Sequence, residues 1–305
     1  MRLVIDCNYL CYRSLYTMAG LTHEEKQVGV IFGFIKQILK LSSQFQTSKF
    51  VFCWDSKQSY RKLIYPEYKA GRHKDLTDEQ QMDLEMAFGQ FDELRENFLP
   101  YMGFKNIFHQ TGYEADDLIA HVVMRHPDDT LIVSADNDLF QLLLDNRFCP
   151  VKMWNFKVVN SEARFTADWF GLKPVDWIKV KSLAGCSSDN ITGIDGVGEL
   201  TAAKYVAEIL QGKKRQIIED WIDNSKDQMD LNYRLIALPF VGKKPLRIEY
   251  AELDDISPVK FRAIFGQYGF RSLIAVDEMA RWMDSFFGGD HGGKSGPNVI
   301  RKIQR

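Results

Sequence analysis

The chain has 305 residues, 45% of them apolar, enough to bury a sizeable core as one large or two ordinary domains. Charged or strongly polar positions interrupt every apolar run well short of a bilayer span, and Met1-Arg2-Leu3 enters a strand pattern without a secretory signal, which argues against a membrane span or export. The formal net charge of −2 hides a segregation: between Lys57 and Lys74 six bases (57, 61, 62, 69, 72, 74) face one acid, Glu67. Five cysteines (Cys7, Cys11, Cys53, Cys149, Cys186) are odd in number and lack CxxC spacing, so reduced thiols in the cytoplasm are expected rather than a disulfide frame or a zinc site.

In chain order, Leu3-Val4-Ile5-Asp6 reads as a buried strand ending on an acid. The stretch from Tyr9 to Tyr16, with Asn8 or Ser14 capping a turn, leads to a helix over about Val28 to Leu41. A second strand, Phe50 to Asp55, again ends on an acid. Ser56 to Asp75 mixes bases with Tyr60, Tyr65 and Tyr68 and contains Pro66 and Gly71, so it is loop-like in part. Leu84, Phe88, Phe91, Leu94 and Phe98 recur at helical spacing, and Thr77 with Gln80 forms a capping box for a helix that stops near Pro100 to Gly103. A short strand around Ile107 to Gln110 precedes Glu114-Ala115-Asp116-Asp117, which opens an apolar helix through Val123. Leu131 to Asp136 is the third strand to end on an acid, with Asp138 two residues on and a short helix over Leu139 to Leu144. Val151 to Trp154 and Lys157 to Val159 form a hairpin around Asn155.

After about Phe165 helical stretches (Val175 to Leu183, Thr201 to Leu210, Ile217 to Ile222) replace strands. The expected division is therefore an α/β core over 1–165, a helical unit over 166–287, and a glycine-rich basic tail over 288–305 that cannot build a core.

Acids at the carboxyl ends of parallel strands face the crevice where such sheets bind ligands. Each acid has a plain structural explanation: Glu114, Asp116 and Asp117 suit a helix start, and Asp136 and Asp138 suit an Asx turn. Together, five segments bring carboxylates to one region, the fifth being Gly185-Cys186-Ser187-Ser188-Asp189-Asn190 with Gly193, Gly196 and Gly198 before a helix. Like charge gathered this way calls for divalent cations such as magnesium or manganese, and glycines before a helix start let amides approach phosphate.

In these ordered motifs the chain resembles the 5′ nuclease superfamily: the 5′-to-3′ exonuclease domain of bacterial DNA polymerase I, bacteriophage 5′ nucleases and flap endonucleases. The matching pieces are Asp6 with Leu10 and Tyr12-Arg13, Phe52 to Asp55, Arg61 through Tyr68-Lys69-Ala70-Gly71-Arg72, Tyr113 to Asp117, Ala135 to Leu143, and Ser188-Asp189-Asn190 with the glycine loop, covering roughly residues 1 to 275. The resemblance implies a PIN-like core with a mostly parallel sheet, a helical arch over about 57–100, and a helix-three-turn-helix DNA-binding unit. It implies that Asp6, Asp55, Glu114 and Asp116 bind a first metal ion, Asp136, Asp138 and Asp189 a second, and that Asp117, Lys69 and Arg72 serve catalysis. Arg61, Tyr68, Lys69, Arg72, Gly193, Gly196, Gly198 and Lys204 would then contact DNA, with Tyr68 stacking on a terminal base and potassium held at the glycine loop. The implied activity is 5′-to-3′ exonuclease and flap endonuclease hydrolysis of flapped, nicked or RNA-primed DNA, leaving 5′-phosphate and 3′-hydroxyl. The expected partners are branched or 5′-ended DNA or an RNA–DNA hybrid, bound by a monomer whose basic tail recruits a replication protein.

Two positions depart from the family pattern. Cys186 stands where an aspartate is usual, and a thiol is a poor partner for magnesium, so a weakened second ion is expected, with a shift toward manganese. Leu200 replaces a common basic residue, leaving Lys204 one turn on as a substitute phosphate contact. The length, with no polymerase domain, favours a stand-alone, phage-encoded enzyme acting in the host cytoplasm. A PIN-type ribonuclease and a branched-DNA-binding module with impaired catalysis are the alternatives.

Overall fold

The computed structural model describes residues 1–18, 20–72 and 76–288. Lys74 and, from 289 on, the basic tail lie outside the described residues. Two compact units are formed, each drawing on residues from both sides of position 165.

The first unit comprises the described residues of Met1–Trp54, Leu76–Phe108 and Ile248–Arg305. Its strands are β1 (Arg2–Asp6), a short antiparallel hairpin of β2 (Thr22–His23) and β3 (Lys26–Gln27), β4 (Phe50–Cys53) and β5 (Ile107–Phe108). β4 lies between β1 and β5 and is parallel to both, with Leu3 opposite Phe50, Asp6 opposite Cys53 and Phe52 opposite Ile107. β1 and β4 are buried along their whole length, which is why both read as unbroken apolar runs. The helices Gly29–Phe45 and Val276–Phe287 supply part of the covering: Phe34 lies against Phe52 and Trp54, and Phe286 stacks on Phe50 at 5.7 Å.

Asp6 ends β1 and at once caps a helix, Cys7–Thr17, by accepting a hydrogen bond from Tyr9 N at 3.1 Å. A turn was expected over part of that stretch. The helix buries Cys7, Leu10, Cys11 and Ser14, and the small, polar Ser14 weakens the apolar rhythm. Ser14 Oγ is satisfied internally, donating to Leu10 O at 2.8 Å and accepting from Gln37 Nε2 at 2.8 Å.

The helix expected from Thr77 is present as Asp78–Glu93 with its capping box, and it continues through a π-helical turn, Leu94–Phe98, into Leu99–Met102. Its periodicity left open whether it stands free or lies on the core. The two ends answer differently: Met82 is 64% exposed, while Ala87, Gln90, Phe91, Leu94 and Phe98 are buried. Gln90 Oε1 accepts from Val30 N at 2.9 Å, and Tyr12 meets Phe91 edge-on at 5.5 Å. The stop is Gly103 at φ +102°, where a Cβ would sit 1.9 Å from the Asp255 carbonyl oxygen.

The second unit comprises the described residues of Asp55–Asp75 and His109–Arg247. β6 (Thr130–Val133) and β7 (Val151–Trp154) are parallel, and β8 (Val159–Asn160) returns antiparallel to β7. The Asn155 side chain accepts from Lys157 N and Val158 N and so shapes the hairpin. The helix Ala115–Arg125 precedes β6, and the helices Glu162–Asp168, Trp177–Ala184, Glu199–Val206, Lys213–Asn224 and Lys226–Ile236 follow β8. Asn232, wholly buried, donates to Ser182 O and Thr192 O at 2.8 Å each and ties the last of these helices to the loop carrying Asp189. No helix among the described residues is long and apolar enough to cross a membrane.

Candidate active site

Within the second unit the basic segment is folded onto the acids. Arg61 opens the short helix Arg61–Ile64 and is 2% exposed. Its guanidinium donates two parallel bonds to Asp117 (2.7 and 2.9 Å) and a third to Leu235 O (2.8 Å), and it lies over the Phe240 ring at 4.9 Å. Asp117, with no exposure, also accepts from Glu114 N (3.0 Å) and Phe240 N (2.8 Å). Burial is costly for either charge alone, so each makes the other tolerable. Arg61, expected at the DNA surface, is instead the buried counter-ion of Asp117. Asp117, expected to serve catalysis, has its oxygens committed to holding the helix start on which Glu114 and Asp116 sit.

A second set of bonds runs through Glu114. Lys69 Nζ donates to Glu114 Oε2 at 2.7 Å, and Tyr68 OH donates to the same oxygen at 3.0 Å and lies 3.4 Å from Asp189 Oδ2. Arg72 Nη2 donates to Asp189 Oδ1 at 2.7 Å, and Lys69 N to Asp189 O at 2.9 Å. Lys69 takes a left-handed backbone, φ +57°, which is unusual for a side chain of this kind and is held here by those bonds. Tyr68, expected to stack on a base, is 2% exposed and packed among Ile178, Ile191, Leu235 and Ile236. Its ring is core and only its hydroxyl reaches the acids. Asp55, half-buried, accepts from Ala115 N at 2.7 Å at the start of the same helix. Burial pushes its carboxyl up, and Lys69 pulls it down.

Burial would likewise raise Glu114, but Lys69 and Arg61 outweigh it and hold its pKa at about 2, below the ordinary 4.5. A carboxylate whose folded value is depressed stabilises the fold above pH 4.5, and that contribution is lost as pH falls from 4.5 toward 2. Glu114→Gln is therefore expected to flatten the loss of stability across this window. Urea denaturation at a series of pH values checks this, and equal slopes in the two proteins would count against it.

Asp136 and Asp138 follow β6. Asp136 Oδ1 accepts from Asp138 N at 2.9 Å, the Asx bond that the sequence allowed. Burial first, then Asp136, pushes Asp138 up to about 6 against the pull of Lys181. Lys181, on the helix Trp177–Ala184, is 7% exposed and lies 3.1 Å from Asp138 Oδ1 and 2.9 Å from Glu199 Oε1. Sequence reasoning missed both Lys181 and Glu199. The available signal was a lysine on an otherwise apolar helix face, between Trp177, Ile178 and Leu183. Cys186 Sγ lies 3.1 Å from Ser188 Oγ, and burial and Asp189 push its thiol up, away from the thiolate form.

Residues 1–172 match the family described as 5′-3′ exonuclease, N-terminal resolvase-like domain. The chain belongs to this family. It is 30% identical to the thermostable DNA polymerase I of Thermus thermophilus over 289 residues, 89% of this chain and 32% of that protein. It is 33% identical to a 5′-3′ exonuclease of Bacillus subtilis over 182 residues, 58% of this chain and 57% of that one. The chain spans about a third of the length of the polymerase relatives it matches. Among solved structures, T5 5′-exonuclease with zinc ions bound aligns with a TM-score of 0.63 at 19% identity, covering 94% of this chain and 98% of that one. That likeness is one of fold, and the PIN-like, mostly parallel α/β architecture with arch and helical unit expected from the motifs is the fold found.

The glycine loop divides into two parts. Gly185, at φ +73°, and Gly193 press on each other: a Cβ on Gly185 would meet Gly193 N at 2.4 Å, and one on Gly193 would meet Ala184 C at 2.2 Å. These two glycines serve a close approach of the chain to itself, which leaves no room for a side chain at either position. Gly196 accepts at its carbonyl from Lys214 Nζ at 2.6 Å, and Gly198 precedes the helix Glu199–Val206 with open space around it. Lys204 lies in the last turn of that helix, its ammonium 5.6 Å from the Phe170 ring centre.

Hard divalent ions fit the donors present. The candidate acids offer carboxylate oxygen throughout, and burial raises the carboxyls of Asp55 and Asp138, a cost of desolvation that a bound cation would offset. Among the described residues no three such side chains already form a metal-ligand cluster; Lys69, Arg72 and Lys181 pair with Glu114, Asp189 and Asp138. Asp6 belongs to the first unit, and Asp116 is the half-buried second residue of the helix Ala115–Arg125.

Proposed function

We propose that this chain is a divalent-metal-dependent 5′-to-3′ exonuclease and 5′ flap endonuclease that hydrolyses phosphodiester bonds in flapped, nicked or RNA-primed DNA. The observation that carries the reading is the linked series Lys69–Glu114–Tyr68–Asp189–Arg72, which sets two cations of the basic segment directly against the candidate metal-binding acids. Asp6, Asp55, Glu114 and Asp116 would hold one ion, and Asp136, Asp138 and Asp189 a second. When bound, such ions lower the pKa of water and offset charge on the attacking and leaving oxygens, which gives 5′-phosphate and 3′-hydroxyl ends.

The chain's own groups do the rest. Lys69 and Arg72 exchange their carboxylate partners for the scissile phosphate and stabilise its charge in the transition state. Arg61 and Asp117 fix the helix start that presents Glu114 and Asp116, and Tyr68 OH orients Glu114. Gly196, Gly198 and Lys204 follow the backbone of duplex DNA, with potassium at the loop, so binding depends on shape and salt more than on sequence. In function we keep the division into a nuclease core over 1–165, a helical DNA-binding unit over 166–287 and a tail over 288–305 that recruits a replication protein to a cytoplasmic monomer.

The test is cleavage of 5′-labelled double-flap DNA with magnesium, manganese or EDTA, beside Asp116→Asn and matched single-stranded RNA. Metal-dependent cutting near the junction is expected, and Asp116→Asn should lose it. Tight flap binding without cutting would support a branched-DNA-binding module, and preferred cleavage of RNA a PIN-type ribonuclease.

A further inference from the structure

Asp138 differs from Glu114 and Asp189 in what neutralises it. Lys69 beside Glu114 and Arg72 beside Asp189 are partly accessible, with side chains 19% and 44% exposed, and can turn toward a substrate. Beside Asp138 the cation is Lys181, whose side chain is 8% exposed and anchored at both Asp138 and Glu199. The ammonium is 3.1 Å from Asp138 Oδ1, close enough to set a full positive charge directly against that carboxylate. Cys186, where the family resemblance leads one to expect an aspartate, brings a thiol rather than a further carboxylate.

We propose that Lys181 acts as a resident cation at the second metal position, so that this chain holds one divalent ion tightly and a second only against the charge of the lysine. The inference rests on the divalent-ion reading given above. A divalent ion at Asp138 would meet a fixed positive charge that burial shields from solvent, and such repulsion acts at short range in a medium less polar than water. The lysine cannot easily swing aside, because its stem is enclosed and its other partner, Glu199, is fixed at the start of a helix.

Manganese binding to the full chain without DNA, followed by loss of the free Mn2+ electron paramagnetic resonance signal, tests this. Wild type is expected to show one strong and one weak ion. In Lys181→Met the weaker constant should tighten by about tenfold or more, as expected when a single close repulsive charge is removed, while Lys181→Arg stays like wild type. If Lys181→Met does not fold, the charge-balanced double variant Lys181→Met with Glu199→Gln should show the same tightening. One ion bound alike by all variants, with the second unchanged, overturns the inference and leaves the divalent-ion reading standing. If no variant binds manganese, both fall. If Cys186→Asp tightens the second ion while Lys181→Met leaves it unchanged, the missing carboxylate sets the weakness and the role given to the lysine is wrong.

Discussion

Arg61→Met is expected to destabilise the protein by about 3–5 kcal/mol, the usual cost of removing one partner from a buried ion pair. The cause is the partner left behind: Asp117 has no exposure and would keep its charge against two backbone amides alone, those of Glu114 and Phe240. Methionine keeps much of the volume, so packing contributes little to the difference. Urea denaturation reads the effect, and the double variant with Asp117→Asn should recover part of the loss because no unpaired charge then remains. A loss below about 1 kcal/mol, the range of exposed pairs, would show that the pair is solvated and the burial argument wrong.

Lys69→Met is expected to lower the single-turnover rate of flap cleavage by about 100- to 1,000-fold, the range seen when one preorganised donor to a developing charge is removed. The lysine is 2.7 Å from Glu114 in the protein alone, so the variant should also let the Glu114 carboxyl rise from its depressed value. Binding of an uncleaved flap should change far less than the rate if the lysine acts on the transition state. A rate within threefold of wild type would remove Lys69 from catalysis and leave it as a counter-ion of Glu114.

Much of this site was legible because acids at strand ends and helix starts announce themselves by position. Asp55, Glu114, Asp136 and Asp138 could be placed on elements from the apolar runs before them. The pairings were not legible. Arg61, Lys69 and Arg72 look alike in sequence, and only the fold separates the buried Arg61, bound to Asp117, from Arg72, whose side chain is 44% exposed. Tyr68 was read by its ring, while the structure uses its hydroxyl. At Gly193 the absent side chain also lets the chain approach itself, since a Cβ there would meet Ala184 and Gly185. In each case the deciding neighbour is far along the chain or across a tight turn, where periodicity carries no signal. The helix Cys7–Thr17 was hidden for a local reason, since the buried serine and cysteines on its inner face resemble a turn as much as a core.

The bonds that join Tyr65 to Asn190, Arg72 to Asp189 and Asn190 to Glu67 close intervals of 125, 117 and 123 residues. At a synthesis rate of about 5–20 residues per second, the basic segment waits on the order of 6–25 s on the ribosome before its partners have been made. During that interval Lys69 and Arg72 have no Asp189, and the acids of the Glu114 helix are not yet joined to it. A growing chain therefore carries the basic segment well before the carboxylate that Arg72 meets, and the linked series closes late, once the loop around residue 190 has been added.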